Sequence, residues 1–135
     1  METLIQGNGI VWVNGCFDVL HIGHIKLLKY AKSLGSFLIV GLDSDDRIRK
    51  SKGQNRPINP QLNRFEMITA LKCVDTAVIF DSDDLLIKLI QHLKPDHMVV
   101  GEEYKGRVIG GEYAKQIHYF SRIADYSSTN IINTI

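Results

Sequence analysis

Cysteine is scarce in this chain: Cys16 and Cys73 are the only two among 135 residues. Nothing around them suggests a disulfide framework, and a reducing cytoplasm is the expected setting. Net charge is nearly absent as well. Sixteen Lys and Arg against 15 Asp and Glu leave +1, which implies neither a nucleic-acid surface nor a polybasic membrane patch, so neither is expected as a partner. No apolar run approaches the length of a membrane span, and Met1 to Gly9 lacks the apolar stretch of a secretory signal, so the chain is expected to stay in water. Repeats and low-complexity tracts are missing. Several motifs are missing too: there is no HExxH or CxxC to supply a set of metal ligands and no G-x-x-x-x-G-K-S/T phosphate loop. Nor does a G-x-G-x-x-G follow the first strand, because Gly7-Asn8-Gly9 lies before it.

What is present reads as one domain over residues 1–135, since 44% hydrophobic and 23% charged residues are ordinary for a globular core of this length. Strand-like and helix-like segments alternate. Strands are predicted near 10–14, at 37–41, 77–80 and 97–100, with a short fifth at 117–120; helices are predicted near 22–34, 60–72, 84–93 and 128–135. Such alternation implies an α/β fold, a Rossmann-like domain with about five parallel strands and helices on both faces. In open sheets of this class ligands lie beyond the carboxyl ends of the strands. Asn14-Gly15-Cys16, Leu42-Asp43-Ser44-Asp45, Asp81-Ser82-Asp83 and Gly101-Glu102-Glu103-Tyr104 occupy those positions. The segment from Arg47 to Pro60, with Arg47, Arg49, Lys50, Lys52 and Arg56 beside Gly53, Pro57 and Pro60, reads as a mobile basic loop able to close over phosphates.

The richest string is Gly15-Cys16-Phe17-Asp18-Val19-Leu20-His21-Ile22-Gly23-His24. Ile10 to Val13 before it reads as a buried strand, and Ile25, Leu27, Leu28, Ala31 and Leu34 after it recur at helical spacing, so the string opens a helix. The exposed N–H groups and positive dipole end of a helix start attract anions, and His21 and His24 add two donors while Gly23 lets a ligand approach the backbone. A blander reading has His21 cap the helix and His24 pack beside the sheet.

In that context the string resembles the HxGH signature of the nucleotidyltransferase superfamily. Together with Ser44-Asp45, Lys52-Gly53, Arg56-Pro57-Ile58-Asn59-Pro60, Arg64, Val74-Asp75, Lys94-Pro95-Asp96, Gly101-Glu102-Glu103-Tyr104 and the ending Ser127-Ser128-Thr129-Asn130-Ile131-Ile132, it is similar to the nucleotidyltransferase domain of bacterial ADP-heptose synthase. Val100 stands where that pattern has a lysine and Glu103 where it has an aspartate. The resemblance implies transfer of AMP from ATP to D-glycero-D-manno-heptose 1-phosphate, with pyrophosphate leaving. Glycerol-3-phosphate cytidylyltransferase, a homodimer of the same small fold, is the second likeness, favoured by Gly23 to Leu28 and by Arg122 before Ser127.

Roles follow from the resemblance. His21, His24 and Lys52 are the expected catalytic residues. Gly15, Cys16, Phe17, Gly23, Lys50, Arg64, Arg122, Ser128 and Thr129 are expected at the nucleotide and its phosphates, and Asp43, Glu102 and Tyr104 at the acceptor. Mg²⁺ is expected to arrive on the triphosphate, with no residue assigned as its ligand. Asp18 is expected to hold the turn by capping backbone N–H groups. A receiver-like or flavin-binding module would share the alternation but leaves the paired histidines unexplained.

Overall fold

A computed structural model of the chain describes residues 9–121. Within them lie β1 (Ile10–Gly15), α1 (Ile22–Leu34), β2 (Phe37–Asp43), α2 (Asp45–Lys52), α3 (Gln61–Thr69), β3 (Thr76–Phe80), α4 (Asp83–Leu93), β4 (His97–Gly101) and β5 (Gln116–Phe120). The strands form one parallel sheet in the order β3-β2-β1-β4-β5. The alternation thus gives the expected α/β architecture. The predicted helix at 128–135 lies outside the described residues.

Two apolar layers sandwich the sheet. Leu28 and Ala31 of α1 and Ile68 of α3 pack with Val11, Val13, Leu38, Val40 and Val99 on one face. Leu86 and Ile90 of α4 pack with Trp12, Ile39 and Met98 on the other. Trp12 is fully buried and its indole N–H donates to Asn14 Oδ1 at 2.9 Å, which satisfies its polar edge. Gly41 on the neighbouring strand makes room for that ring, because a Cβ there would lie 2.5 Å from it.

Local chemistry explains most boundaries. Ser82 caps α4 by accepting from Leu85 N–H, with Asp83 and Asp84 in the first turn where the dipole favours acids. The third helix in chain order, α3, ends at Thr69 rather than at the predicted 72. Past it, tight bonds from Leu71 N–H to Ile68 O and from Val74 N–H to Leu71 O hold Leu71 and Val74 against the core.

The larger correction concerns the basic segment. Its first part is the helix α2, capped by Ser44, whose hydroxyl accepts from Arg47 N–H. Asp45 and Asp46 occupy its first turn and Arg49, Lys50 and Lys52 its last, which complements the macrodipole from both ends. Only Ile48 is buried, so the helix carries no apolar stripe to read. It stops at Gly53, whose φ of 100° suits glycine.

Strand order reverses between β1 and β4: β2 and β3 extend the sheet to one side, β4 and β5 to the other. The crevice above the carboxyl ends of β1 and β4 is therefore the natural ligand position.

Candidate active site

A cavity of about 1090 Å³ opens at that crevice. Asn14, Gly15, Cys16 and Phe17 leave β1 into it, and His21, Gly23 and His24 line it from the start of α1. The turn is sharp: Phe17 has a positive φ of 49°, and its buried ring lies 5.2 Å from that of His24.

The two histidines hold each other and the helix start. His21 is the N-cap of α1, and its Nδ1 accepts from Gly23 N–H at 3.1 Å. His24 Nδ1 accepts from His21 N–H at 3.3 Å, closing a reciprocal capping box, and the rings stack with centroids 3.8 Å apart. A neutral imidazole that accepts through Nδ1 carries its proton on Nε2. Both rings are thereby fixed as donors at their far nitrogens, at a helix start with no acidic residue in its first turn. The capping reading and the phosphate reading are thus compatible in one geometry.

Lys50 and Lys52 line the cavity from the last turn of α2 and are exposed. Asp43, at the end of β2, accepts from Cys16 Sγ at 3.3 Å and from Arg47 Nε at 2.7 Å. Burial, reinforced by the Asp43 carboxylate, pushes the Cys16 thiol up to about 11, so it stays protonated at neutral pH and is no nucleophile. Arg47 Nη2 also meets Asp83 Oδ1 at 2.7 Å, and its guanidinium lies 5.1 Å from the Phe80 ring centre. Tyr104 lines the far wall, stacked with Arg107.

Two of the expected contact residues do not line the cavity. Arg64 is fully buried and does not face the cavity. Its Nε donates to Asn59 O, its Nη1 to Cys16 O and Asp43 O, and its Nη2 to Asp45 Oδ1 at 2.8 Å. That fork ties the exits of β1 and β2 together and leaves no face for phosphate. Nor does it pair with Glu66 or Asp75; Asp75 instead meets Lys32. Glu102 is the second case. It accepts from Ser121 Oγ at 3.1 Å, while its neighbour Glu103 lines the cavity. Arg122, Ser128 and Thr129 lie outside the described residues.

Asp18 is architectural, as expected, although what it holds is distant. Fully buried, it accepts from Arg56 Nε at 2.9 Å, Ile58 N–H at 2.9 Å and Asn59 N–H at 2.8 Å. Burial alone would raise its carboxyl; the two backbone donors and Arg56 outweigh burial and hold it below the usual range. The HxGH turn and the segment after Lys52 are thereby fastened together.

Arg107 is a lining residue that the sequence does not single out; Arg47 is expected only as part of the basic segment, and Asp83 only as a position beyond a strand end. For Arg47 a signal exists in the i,i+4 spacing to Asp43; Arg107 has none. Among the described residues no group of three or more His, Cys, Asp or Glu is placed to hold a metal ion, and no helix is long and apolar enough to cross a membrane.

Against known proteins, residues 12–134 match the family model described as cytidylyltransferase-like. The chain is 47% identical over 131 residues to the bifunctional protein HldE of Campylobacter fetus subsp. fetus (strain 82-40), covering 96% of this chain and 28% of that protein. It is 48% identical over 132 residues to the protein of that name from Helicobacter hepaticus (strain ATCC 51449 / 3B1), covering 97% of this chain and 27% of that one. The chain therefore spans little more than a quarter of the length of these curated relatives. Among solved structures, the lipopolysaccharide core biosynthesis protein from Thermoplasma volcanium GSS1 superposes with a TM-score of 0.66 at 31% identity, over 87% of this chain and 98% of that one. Pantothenate synthetase from Thermus thermophilus, at 14% identity and a TM-score of 0.64 over 92% of this chain and 61% of its own, shares the fold.

Proposed function

The chain belongs to the cytidylyltransferase-like family, and from that premise we propose that it transfers a nucleoside monophosphate from a nucleoside triphosphate, ATP in our reading, to D-glycero-D-manno-heptose 1-phosphate, releasing pyrophosphate. The observation that carries the reading is the pair of imidazole donors, His21 and His24, set by their own capping bonds at an acid-free helix start in the wall of the cavity. The name of the Thermoplasma relative, from lipopolysaccharide core synthesis, agrees with a sugar phosphate acceptor.

In this reaction an acceptor phosphate oxygen attacks the α-phosphorus in line. The new P–O bond forms as the bond from the α-phosphorus to the bridging oxygen breaks, and the electron pair leaves with pyrophosphate. His21 and His24 donate through Nε2 to the triphosphate oxygens, where negative charge grows. The backbone of Gly15, Cys16, Phe17 and Gly23 surrounds the α-phosphate, and Lys50 and Lys52 neutralise the departing phosphates. Asp43 and Tyr104 face the acceptor. Because the Cys16 thiol is protonated, no covalent enzyme intermediate is invoked. Mg²⁺ comes in as part of the triphosphate substrate and spreads its charge.

We further read the working form as a homodimer in the cytoplasm, without a nucleic-acid or membrane partner. Sedimentation equilibrium checks the dimer, and the mass of one chain at working concentration refutes it. The activity itself is tested by pyrophosphate release from ATP and CTP, each with heptose 1-phosphate and with glycerol 3-phosphate. Release with ATP and heptose 1-phosphate is expected; release confined to CTP with glycerol 3-phosphate overturns the reading in favour of a glycerol-3-phosphate cytidylyltransferase.

A further inference from the structure

Charged side chains of both signs line the cavity, Arg56, Arg107, Asp81, Asp84 and Glu103 among them. His21, His24, Lys50 and Lys52 are contributed by α1 and the end of α2, whereas Asp43 and Asp83 stand at the exit of β2 and the start of α4. The cation between those two carboxylates is already engaged. Arg47 meets Asp43 through Nε and Asp83 through Nη2, each at 2.7 Å, with its guanidinium 5.1 Å from the Phe80 ring centre. A fork bound at two edges and backed by an aromatic ring holds both carboxylates in fixed positions.

We propose that Asp43 and Asp83, positioned by Arg47, are the hydroxyl-recognising end of the acceptor site, so that a sugar phosphate binds with its phosphate toward His21 and His24 and its polyol body against the two carboxylates. This rests on the transferase reading above and adds an orientation and a specificity determinant to it. An ionised carboxylate only accepts hydrogen bonds, and a polyol offers several O–H donors. The Asp83 side chain is 59% exposed within the lining, so its oxygens are open to a ligand. Asp43 Oδ2 is met at 3.3 Å by the Cys16 thiol, a weak donor that a sugar hydroxyl displaces. A phosphate at this end meets like charge and is turned toward the histidines, where the reacting oxygen belongs. The acceptor class that follows is a polyhydroxylated body with one phosphate.

The test is steady-state kinetics on wild type, Asp83→Asn and Arg47→Met, varying nucleoside triphosphate and sugar 1-phosphate independently, with circular dichroism to establish folding. Losing a charge-assisted hydrogen bond to substrate is expected to raise the acceptor KM by about tenfold or more, with the triphosphate KM within about twofold. A 6-deoxy or other deoxy sugar 1-phosphate adds a readout that a merely structural role does not move: wild type prefers the complete sugar, and Asp83→Asn loses that preference. Should Arg47→Met fail to fold, the exposed Asp83 decides the matter. Unchanged acceptor KM in Asp83→Asn, or parallel rises in both KM values, overturns the proposal while wild-type transfer keeps the underlying reading. Phosphoethanolamine used as well as the sugar also overturns it, since the carboxylates then serve an ammonium group. A wild type that transfers to no sugar phosphate removes both.

Discussion

In the proposed reaction His21 serves two purposes with one ring, and the two can be separated. Its Nδ1 caps α1 while its Nε2 carries the donor proton. Asparagine is a good N-cap but has no distal donor, so His21→Asn is expected to keep the melting temperature near wild type and to lose about 10²–10³ in kcat, the usual effect of removing one transition-state donor. His21→Ala is expected to lose both, with about 1 kcal/mol of stability gone with the cap. A His21→Asn enzyme as active as wild type contradicts the assignment. Arg64 behaves differently because it is buried among carbonyls and Asp45. Arg64→Met strands those acceptors and is expected to cost about 3 kcal/mol in urea unfolding, the lower end for breaking a buried pair because Asp45 is partly exposed. A variant of wild-type stability with a raised triphosphate KM restores Arg64 to the phosphates.

At the scale of elements, α2 and the segment behind it are held from both ends. The helix is closed by Ser44 at one end and Gly53 at the other. Beyond the glycine, Asp18 grips Arg56, Ile58 and Asn59. Lys52 therefore sits between a helix and a clamp, with Gly53 to Asn55 as the intervening stretch. If the segment closes over phosphates, movement is expected at that short stretch, where a single backbone bond runs from Arg56 N–H to Gly53 O, rather than ordering of the whole basic run. Amide hydrogen exchange should accordingly find Ile48 and Gly53, which donate within the helix, protected without ligand, and triphosphate should add protection mainly over 53–56. Uniformly fast exchange across 45–52 in the empty protein contradicts the helix, and equal exchange with and without triphosphate contradicts closure.

For the molecule as a whole, three carboxylates act as staples between distant segments. Asp18 joins the HxGH turn to residues 56–59; Asp75 binds Leu38 N–H and Lys32; Asp96 binds Ile10 N–H and Lys115. All three are held below the ordinary carboxylate range: for Asp18 and Asp75 hydrogen bonds and cations overcome burial, and for Asp96 the Ile10 N–H is the largest cause. A group whose folded value is depressed stabilises fully above its unfolded value, about 3.9 for Asp, and the contribution fades as pH falls toward the folded value. His118 has the same sign. Burial, then the neighbouring His97 with ring nitrogens 3.0 Å away, holds it below its ordinary value, so its contribution begins to fall below about pH 6.5. Urea unfolding from pH 8 to pH 3 should therefore show stability declining in two stages, first near 6.5 and again below about 4. His118→Gln should shrink the first stage and Asp18→Asn the second; a flat profile in wild type refutes both.

The sequence by itself determined the alternation of strands and helices, the parallel sheet, and the placement of His21 and His24 at a helix start. These depend on apolar periodicity and on caps that act within one turn of chain, so the information is local. Even α2 leaves such traces in Ser44, the acidic first turn, the basic last turn and Gly53, although its single buried residue, Ile48, hides it from any apolar pattern. Only the tertiary structure decided which charged groups line the cavity. Arg64 meets a carbonyl 48 residues away and Asp18 an arginine 38 residues away, while Arg47 bridges from β2 to the start of α4. Glu102 and Glu103 are neighbours in sequence, yet one bonds Ser121 and the other lines the cavity. A charged side chain acts over a few ångströms, and which distant element stands within that reach is fixed by the packing of helices on the sheet, not by the residues beside it in the chain.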